Sequence, residues 1–149
     1  MSIKNFFSAA RVYAVVGATP NETKFGYKVF NWYLARELPV IPVHPSATHI
    51  LHVPTSQDIA LAIKRANEEY PNNDGISISF ITPPKVSESV LNEIETKQLK
   101  DQIKGVWFQP GAYNEEVLGV ARHLGIDPIV ENGDCILVSG DSYSVKSSL

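Results

Sequence analysis

The sequence predicts an α/β protein of one domain, a doubly wound parallel sheet with helices on both faces. Short runs rich in Val and Ile alternate with amphipathic stretches of about a dozen residues, the pattern of repeated βαβ units. Each apolar run stops abruptly at glycine, proline or a small polar residue, as strands entering tight turns do. No internal repeat or linker composition divides the 149 residues. Right-handed crossovers between such strands place helices on both faces of the sheet. The domain core is expected over residues 7–138, with 139–149 as a frayed Ser-rich tail.

The elements follow in order. Val12 to Val16 is the first strand and ends at Gly17. A helical pattern starts near Lys24, where Phe25, Val29, Tyr33 and Phe30, Leu34, Leu38 recur at helical spacing, and Pro39 ends it. Residues 40–43 (Val-Ile-Pro-Val) make a short strand whose proline points to an edge or an interrupted ladder. Residues 48–53 form an extended connection. Thr55 or Ser56 caps a second helix running to about Glu69, with Ile59, Ala62, Ile63 and Ala66 on one face.

Turn residues at 71–75 lead into a strand at 76–81. Pro83 or Pro84 opens a third helix through Val86, Val90, Leu91 and Ile94, because proline suits the first helical position. Charged residues loosen the pattern between Glu93 and Lys104. A strand at 105–108 ends in Gln109, Pro110 and Gly111. The fourth helix, about 114–124, turns Val117, Leu118 and Ala121 inward and stops at Gly125. Residues 126–130 make the last strand, and 136–138 read as a short extra strand or part of the tail.

Composition narrows the function classes. A formal net charge of -3 gives no electrostatic footprint for nucleic acid. No apolar run approaches the roughly 18 residues of a membrane helix. Cys135 is the only cysteine, so no disulfide framework or thiolate metal site forms within the chain. A reducing, cytoplasmic setting is the expectation. His49, His52 and His123 have no metal-ligand spacing, and Glu115-Glu116 suit the first turn of the fourth helix through its dipole.

In doubly wound sheets ligands bind at the carboxyl ends of the strands. Here those ends are Gly17-Ala18-Thr19, His44-Pro45, Thr82-Pro83-Pro84 and Gln109-Pro110-Gly111. The first is a strand, a tight turn and a helix start, the arrangement that presents free N–H groups and a positive dipole end to an anion. The stretch 15–26 therefore reads as a phosphate loop for a nucleotide-containing cofactor. The dinucleotide pattern needs glycines where Thr19 and Glu22 stand, and the acid that would hold a ribose after the second strand is replaced by His44-Pro45. The Walker A pattern fails at Lys24. That lysine opposes the helix dipole unless a phosphate sits beside it, or else is a solvated first-turn residue. Trp32 and Trp107 read as core or cleft wall, and Cys135 as a partly buried thiol.

Val-Val-Gly-Ala-Thr-Pro (15–20) with Lys24-Phe25-Gly26, Ile-Pro-Val-His-Pro (41–45), Val-Trp-Phe-Gln-Pro-Gly (106–111) and the ending at 125–135 resemble the stand-alone CoA-binding domain proteins. The resemblance runs in order over residues 7–138. It implies a single-domain Rossmann-like fold similar to the CoA-binding domain of succinyl-CoA synthetase, and coenzyme A, or acyl-CoA, as the ligand. On that resemblance Gly17, Ala18 and Thr19 pass close to the phosphates, Lys24 supplies a charge, and Phe25-Gly26 open the helix beneath. His44 and Pro45 border the adenosine side, and Ile81, Thr82, Pro83 and Val86 line the opposite wall. Gln109, Pro110 and Gly111 approach the pantetheine end. Two departures stand out: the family commonly has asparagine at the position of His44, and its glycine after the second strand is absent from residues 48–52.

Adjacent motifs assemble no nucleophile, base and orienting group. The resemblance implies binding and does not by itself imply a reaction. A non-catalytic CoA or acyl-CoA module is the first reading. The alternatives are a Rossmann-like domain for NAD or another nucleotide, and a subunit that acts on CoA thioesters with a partner chain.

Overall fold

A computed structural model describes residues 3–131 and 135–143. Five parallel strands form the sheet: β1 (Val12–Val16), β2 (Val40–Val43), β5 (Ile76–Phe80), β6 (Ile103–Phe108) and β7 (Ile129–Val130), in the order β2-β1-β5-β6-β7. A two-stranded antiparallel hairpin, β3 (His49–Ile50) and β4 (Val53–Pro54), stands apart. The helices are α1 (Phe25–Ala35), α2 (Ile59–Glu69), α3 (Pro84–Thr96), α4 (Glu115–His123) and α5 (Ile136–Tyr143). The doubly wound parallel sheet expected from the sequence is present.

Strand alternation sorts the core into two layers. Val12, Ala14 and Val16 of β1, Ile78 and Phe80 of β5, and Val106 and Phe108 of β6 meet α2, α3 and α4 on one face. Tyr13, Val15 and Trp107 point the other way, toward α1, α5 and the N-terminal 3-10 turn Ile3–Phe6. The second layer is aromatic: the Tyr13 and Tyr33 rings lie tilted with centroids 5.2 Å apart, and Phe6 and Trp107 meet in a T shape at 5.5 Å. Both tryptophans are buried. On this face β5 presents two serines, each satisfied. Ser79 Oγ bonds the Tyr33 hydroxyl at 2.6 Å, and Ser77 Oγ donates to the Phe6 carbonyl at 2.7 Å.

Pro42 sits on the edge strand β2, opposite Val15, where a missing N–H costs the ladder least. Several boundaries differ from the sequence expectation. Neither Thr55 nor Ser56 caps α2. Ser56 extends the sheet instead, its N–H bonding Pro42 O at 2.9 Å and its carbonyl accepting from His44 N at 3.0 Å. The helix therefore starts later, capped by Asp58, whose carboxylate accepts from Leu61 N at 2.8 Å. Strand β6 begins at Ile103, two residues before Gly105, because Ile103 pairs with Ile76. Strand β7 covers only Ile129 and Val130, since Pro128 has no N–H to give the ladder.

The largest difference is α5. Residues 136–138 are neither a strand nor a loose tail, and the helix they open runs on to Tyr143 and packs against α1. Gly140 lies against the Trp32 ring, and Arg36 stacks over that ring at 4.3 Å while its Nη2 reaches Asp141 at 2.8 Å. Residues 144–149 of the expected tail lie outside the described residues. Among the described residues no helix is long and apolar enough to cross a membrane.

Candidate functional site

From β1 the chain winds first to β2 and later, through α2, to β5 on the other side. The switch point is thus at the carboxyl ends of β1 and β5, where a doubly wound sheet leaves a crevice. The loop after β1 fills one side of it. Gly17 adopts φ +99°, a conformation that favours glycine. A Cβ there would also stand 3.1 Å from the Thr82 methyl group. Gly26, in the first turn of α1, approaches the same loop so closely that a Cβ would lie 2.0 Å from the Gly17 carbonyl oxygen. The two glycines are one device. The first turns the chain and the second lets α1 close on it, with the unpaired N–H groups of its first turn behind the loop.

The rest of the loop is braced by its own side chains. Thr19 Oγ1 accepts from Asn21 N at 3.2 Å, and Asn21 Oδ1 accepts from Thr23 N at 3.1 Å. Lys24 is the residue immediately before α1, exposed and without a side-chain capping bond.

Two cavities flank the strand ends. The first, about 350 Å³, lies on the α2–α3 side. Gly17, Ala18 and Thr19 border it, as do His44 and Pro45 after β2, and Thr82 and Val86 across from them. The second, about 370 Å³, lies beside Phe25 on the other side and collects Ile81, Pro83, Gln109, Pro110 and Gly111. Successive residues 81, 82 and 83 face alternate cavities and form the ridge between them.

The structure thus brings thirteen of the fifteen expected residues to the two cavities, and splits the expected opposite wall: Thr82 and Val86 face His44, whereas Ile81 and Pro83 do not. Lys24 and Gly26 line neither cavity. Phe25, placed in an apolar helical stripe by its spacing, is 59% exposed at the crevice, and Val86 is 45% exposed there.

His44 Nδ1 accepts two backbone N–H groups, from Ser46 at 3.0 Å and Ala47 at 2.8 Å. In the neutral ring the proton is therefore on Nε2, and the ring offers the cavity a donor. An asparagine side-chain oxygen makes the same turn (Asx-turn), so the departure at this position preserves the local geometry.

Gln109 is buried at 3% exposure, its Oε1 accepting from Ile136 N at 2.9 Å and its Nε2 donating to Cys135 Sγ at 3.1 Å. Cys135 lines the second cavity with it. Sequence reasoning placed Cys135 as a partly buried thiol and did not connect it to the strand end at Gln109, because 26 residues separate them. Gln57, Asp58 and Glu93, which also border the first cavity, were missed as well. No sequence signal pointed to them, since the cap that Asp58 supplies was expected at Thr55 or Ser56 and Glu93 reads as an ordinary charged residue of α3.

Comparisons with known proteins give the family from one match and the fold from several. The family described as CoA binding domain matches residues 11–141. A conserved hypothetical protein from Pyrococcus furiosus is 29% identical, with a TM-score of 0.67 over 87% of this chain and 98% of its own. A hypothetical protein from Pyrococcus horikoshii is 23% identical, TM-score 0.71, over 91% of this chain and 84% of its own. A Thermus thermophilus protein at 18% identity has a TM-score of 0.70 over 93% of each chain. These last two speak to the fold alone. A search of the curated proteins gives no match.

Proposed function

The chain belongs to the CoA binding domain family, and on that premise we propose that its crevice binds coenzyme A or an acyl-CoA without catalysing a reaction. The observation that carries this reading is the pair of cavities on either side of the 81–83 ridge, both opening at the switch point. CoA has two unlike ends joined by a diphosphate. The first cavity takes the adenosine end, beside His44 and Thr82. The second, lined by Phe25, Ile81, Pro83 and Pro110, takes the pantetheine arm or an acyl group. The diphosphate crosses at Gly17-Ala18-Thr19, in front of the first turn of α1, where N–H groups and dipole favour it.

The cavities are walled largely by apolar side chains and backbone, a lining suited to holding a ligand. We propose a cytoplasmic setting, which suits a chain with one cysteine and no disulfide partner for it.

Lys24 stands outside both cavities, exposed at the end of the loop, and its part is to meet the phosphates from solvent. Titration of Lys24→Ala with CoA at several salt concentrations tests this. The expected result is an affinity lower by about two- to fivefold at low ionic strength, with a shallower salt dependence, as for one exposed charge pair. Unchanged affinity and an unchanged salt slope would remove Lys24 from the site.

A further inference from the structure

We propose that Asp58 reads the base in the first cavity and selects one carrying an exocyclic amine, as adenine does; this rests on the CoA reading above. The walls of that cavity include Val43, Ile59 and Val90, apolar surfaces between which a planar ring fits. Among the described residues no lysine or arginine lines it, and two carboxylates do, Asp58 and Glu93. The lining thus gives an anion no cationic partner, and the uncharged base is the part of CoA that suits it, with the phosphates left outside the cavity.

The two carboxylates are not equivalent. Glu93 bonds the Lys97 ammonium at 2.9 Å. Asp58 uses Oδ1 to cap α2 through Leu61 N at 2.8 Å, and its Oδ2 makes no hydrogen bond among the described residues. A carboxylate can only accept. Asp58 Oδ2 therefore offers the cavity an acceptor open to a ligand donor, held at a fixed place because the cap locks the side chain. The 6-amino group of adenine is such a donor. Hypoxanthine presents a carbonyl oxygen at the same position, and two acceptors would face each other unpaired, the arrangement by which polar sites reject close analogues.

The test titrates the protein calorimetrically with CoA and with deaminated CoA, in which hypoxanthine replaces adenine. The wild-type protein should bind CoA about 10- to 100-fold more tightly, the worth of one hydrogen bond to a charged group. Asp58→Asn keeps a good helix cap and turns an amide donor toward the base. Its preference should fall to parity or reverse, with the melting temperature unchanged. Equal binding of the two ligands by wild type would overturn the proposal while leaving CoA binding intact. So would an Asp58→Asn protein that loses both ligands by the same factor. If wild type binds neither ligand, the CoA reading itself falls, and this inference with it.

Discussion

At the residue scale, close approach decides more than charge. Gly26 is required because the atom it would strike is the backbone oxygen of Gly17, which no rotamer change can move aside. Gly26→Ala should lower stability by about 1–3 kcal/mol, the usual cost of overpacking, and the melting temperature by roughly 3–10 °C. Thermal denaturation checks it, and an unchanged midpoint would mean that α1 can back away from the loop without cost. The sequence placed Gly17 at the end of the first strand, and Gly26 entered the expected site through the family resemblance. The contact between the two glycines was not visible, because it depends on how α1 tilts back over the loop. The tautomer of His44 was hidden for a similar reason: it is set by the N–H groups of Ser46 and Ala47, which a sequence does not orient. Asp58 gave no sequence signal of its own, since Thr55 and Ser56 are equally good caps until strand pairing claims Ser56.

At the element scale, the five strands of the main sheet and the first four helices were readable because apolar periodicity, proline and glycine agree there, whereas the β3–β4 hairpin read only as an extended connection. Helix α5 was not readable. Ile136-Leu137-Val138 is too short a run to separate a period of 2 from one of 3.6, and the Ser and Gly that follow have poor helix propensity. Its stability comes from tertiary contact: Gly140 against Trp32, and Arg36 bound to both Trp32 and Asp141. The Arg36 hydrogen bond, outweighing a small desolvation effect, holds the Asp141 carboxyl below its ordinary value. A Cβ at Gly140 would lie 2.5 Å from the Trp32 ring. Gly140→Ala should therefore loosen α5 by about 1–3 kcal/mol. Hydrogen exchange should show the amides of α5 opening first while those of β1 and β5 keep their protection. Exchange that rises equally in the sheet would show that α5 and the sheet unfold as one unit. Because Cys135 and Ile136 meet Gln109, a loosened α5 also disturbs the second cavity.

At the scale of the whole molecule, the two ends of the sheet divide the work. The carboxyl ends hold the crevice, and the amino ends are fastened by Arg11. This buried guanidinium bonds Asp74 Oδ1 at 2.8 Å, Ser77 Oγ at 2.9 Å and the Phe6 carbonyl at 3.1 Å. It thereby ties the N-terminal turn, β1 and β5 together. Partial burial raises the Asp74 carboxyl, but hydrogen bonds from Arg11 and Ser8 more than reverse this and leave it below its ordinary value. A lowered carboxyl contributes stability above about pH 4, and loses it as pH falls through the depressed value. Asp74→Asn should thus cost stability at pH 7, and the gap from wild type in urea unfolding should close as pH drops below about 4. A gap that stays constant to lower pH would separate the loss from the charge. Burial pushes Tyr13, in the aromatic layer above, up to about 12, so it stays neutral across this range. With the frame held from the amino ends, the crevice is left to bind, and its ligand is the central question. Calorimetry with CoA, acetyl-CoA, NAD and ATP under one set of conditions answers it most directly. Saturable binding of CoA or acetyl-CoA is expected, with affinity near micromolar (about -8 kcal/mol), and weaker binding of NAD and ATP. No heat with either CoA species, together with tight binding of NAD, would contradict it.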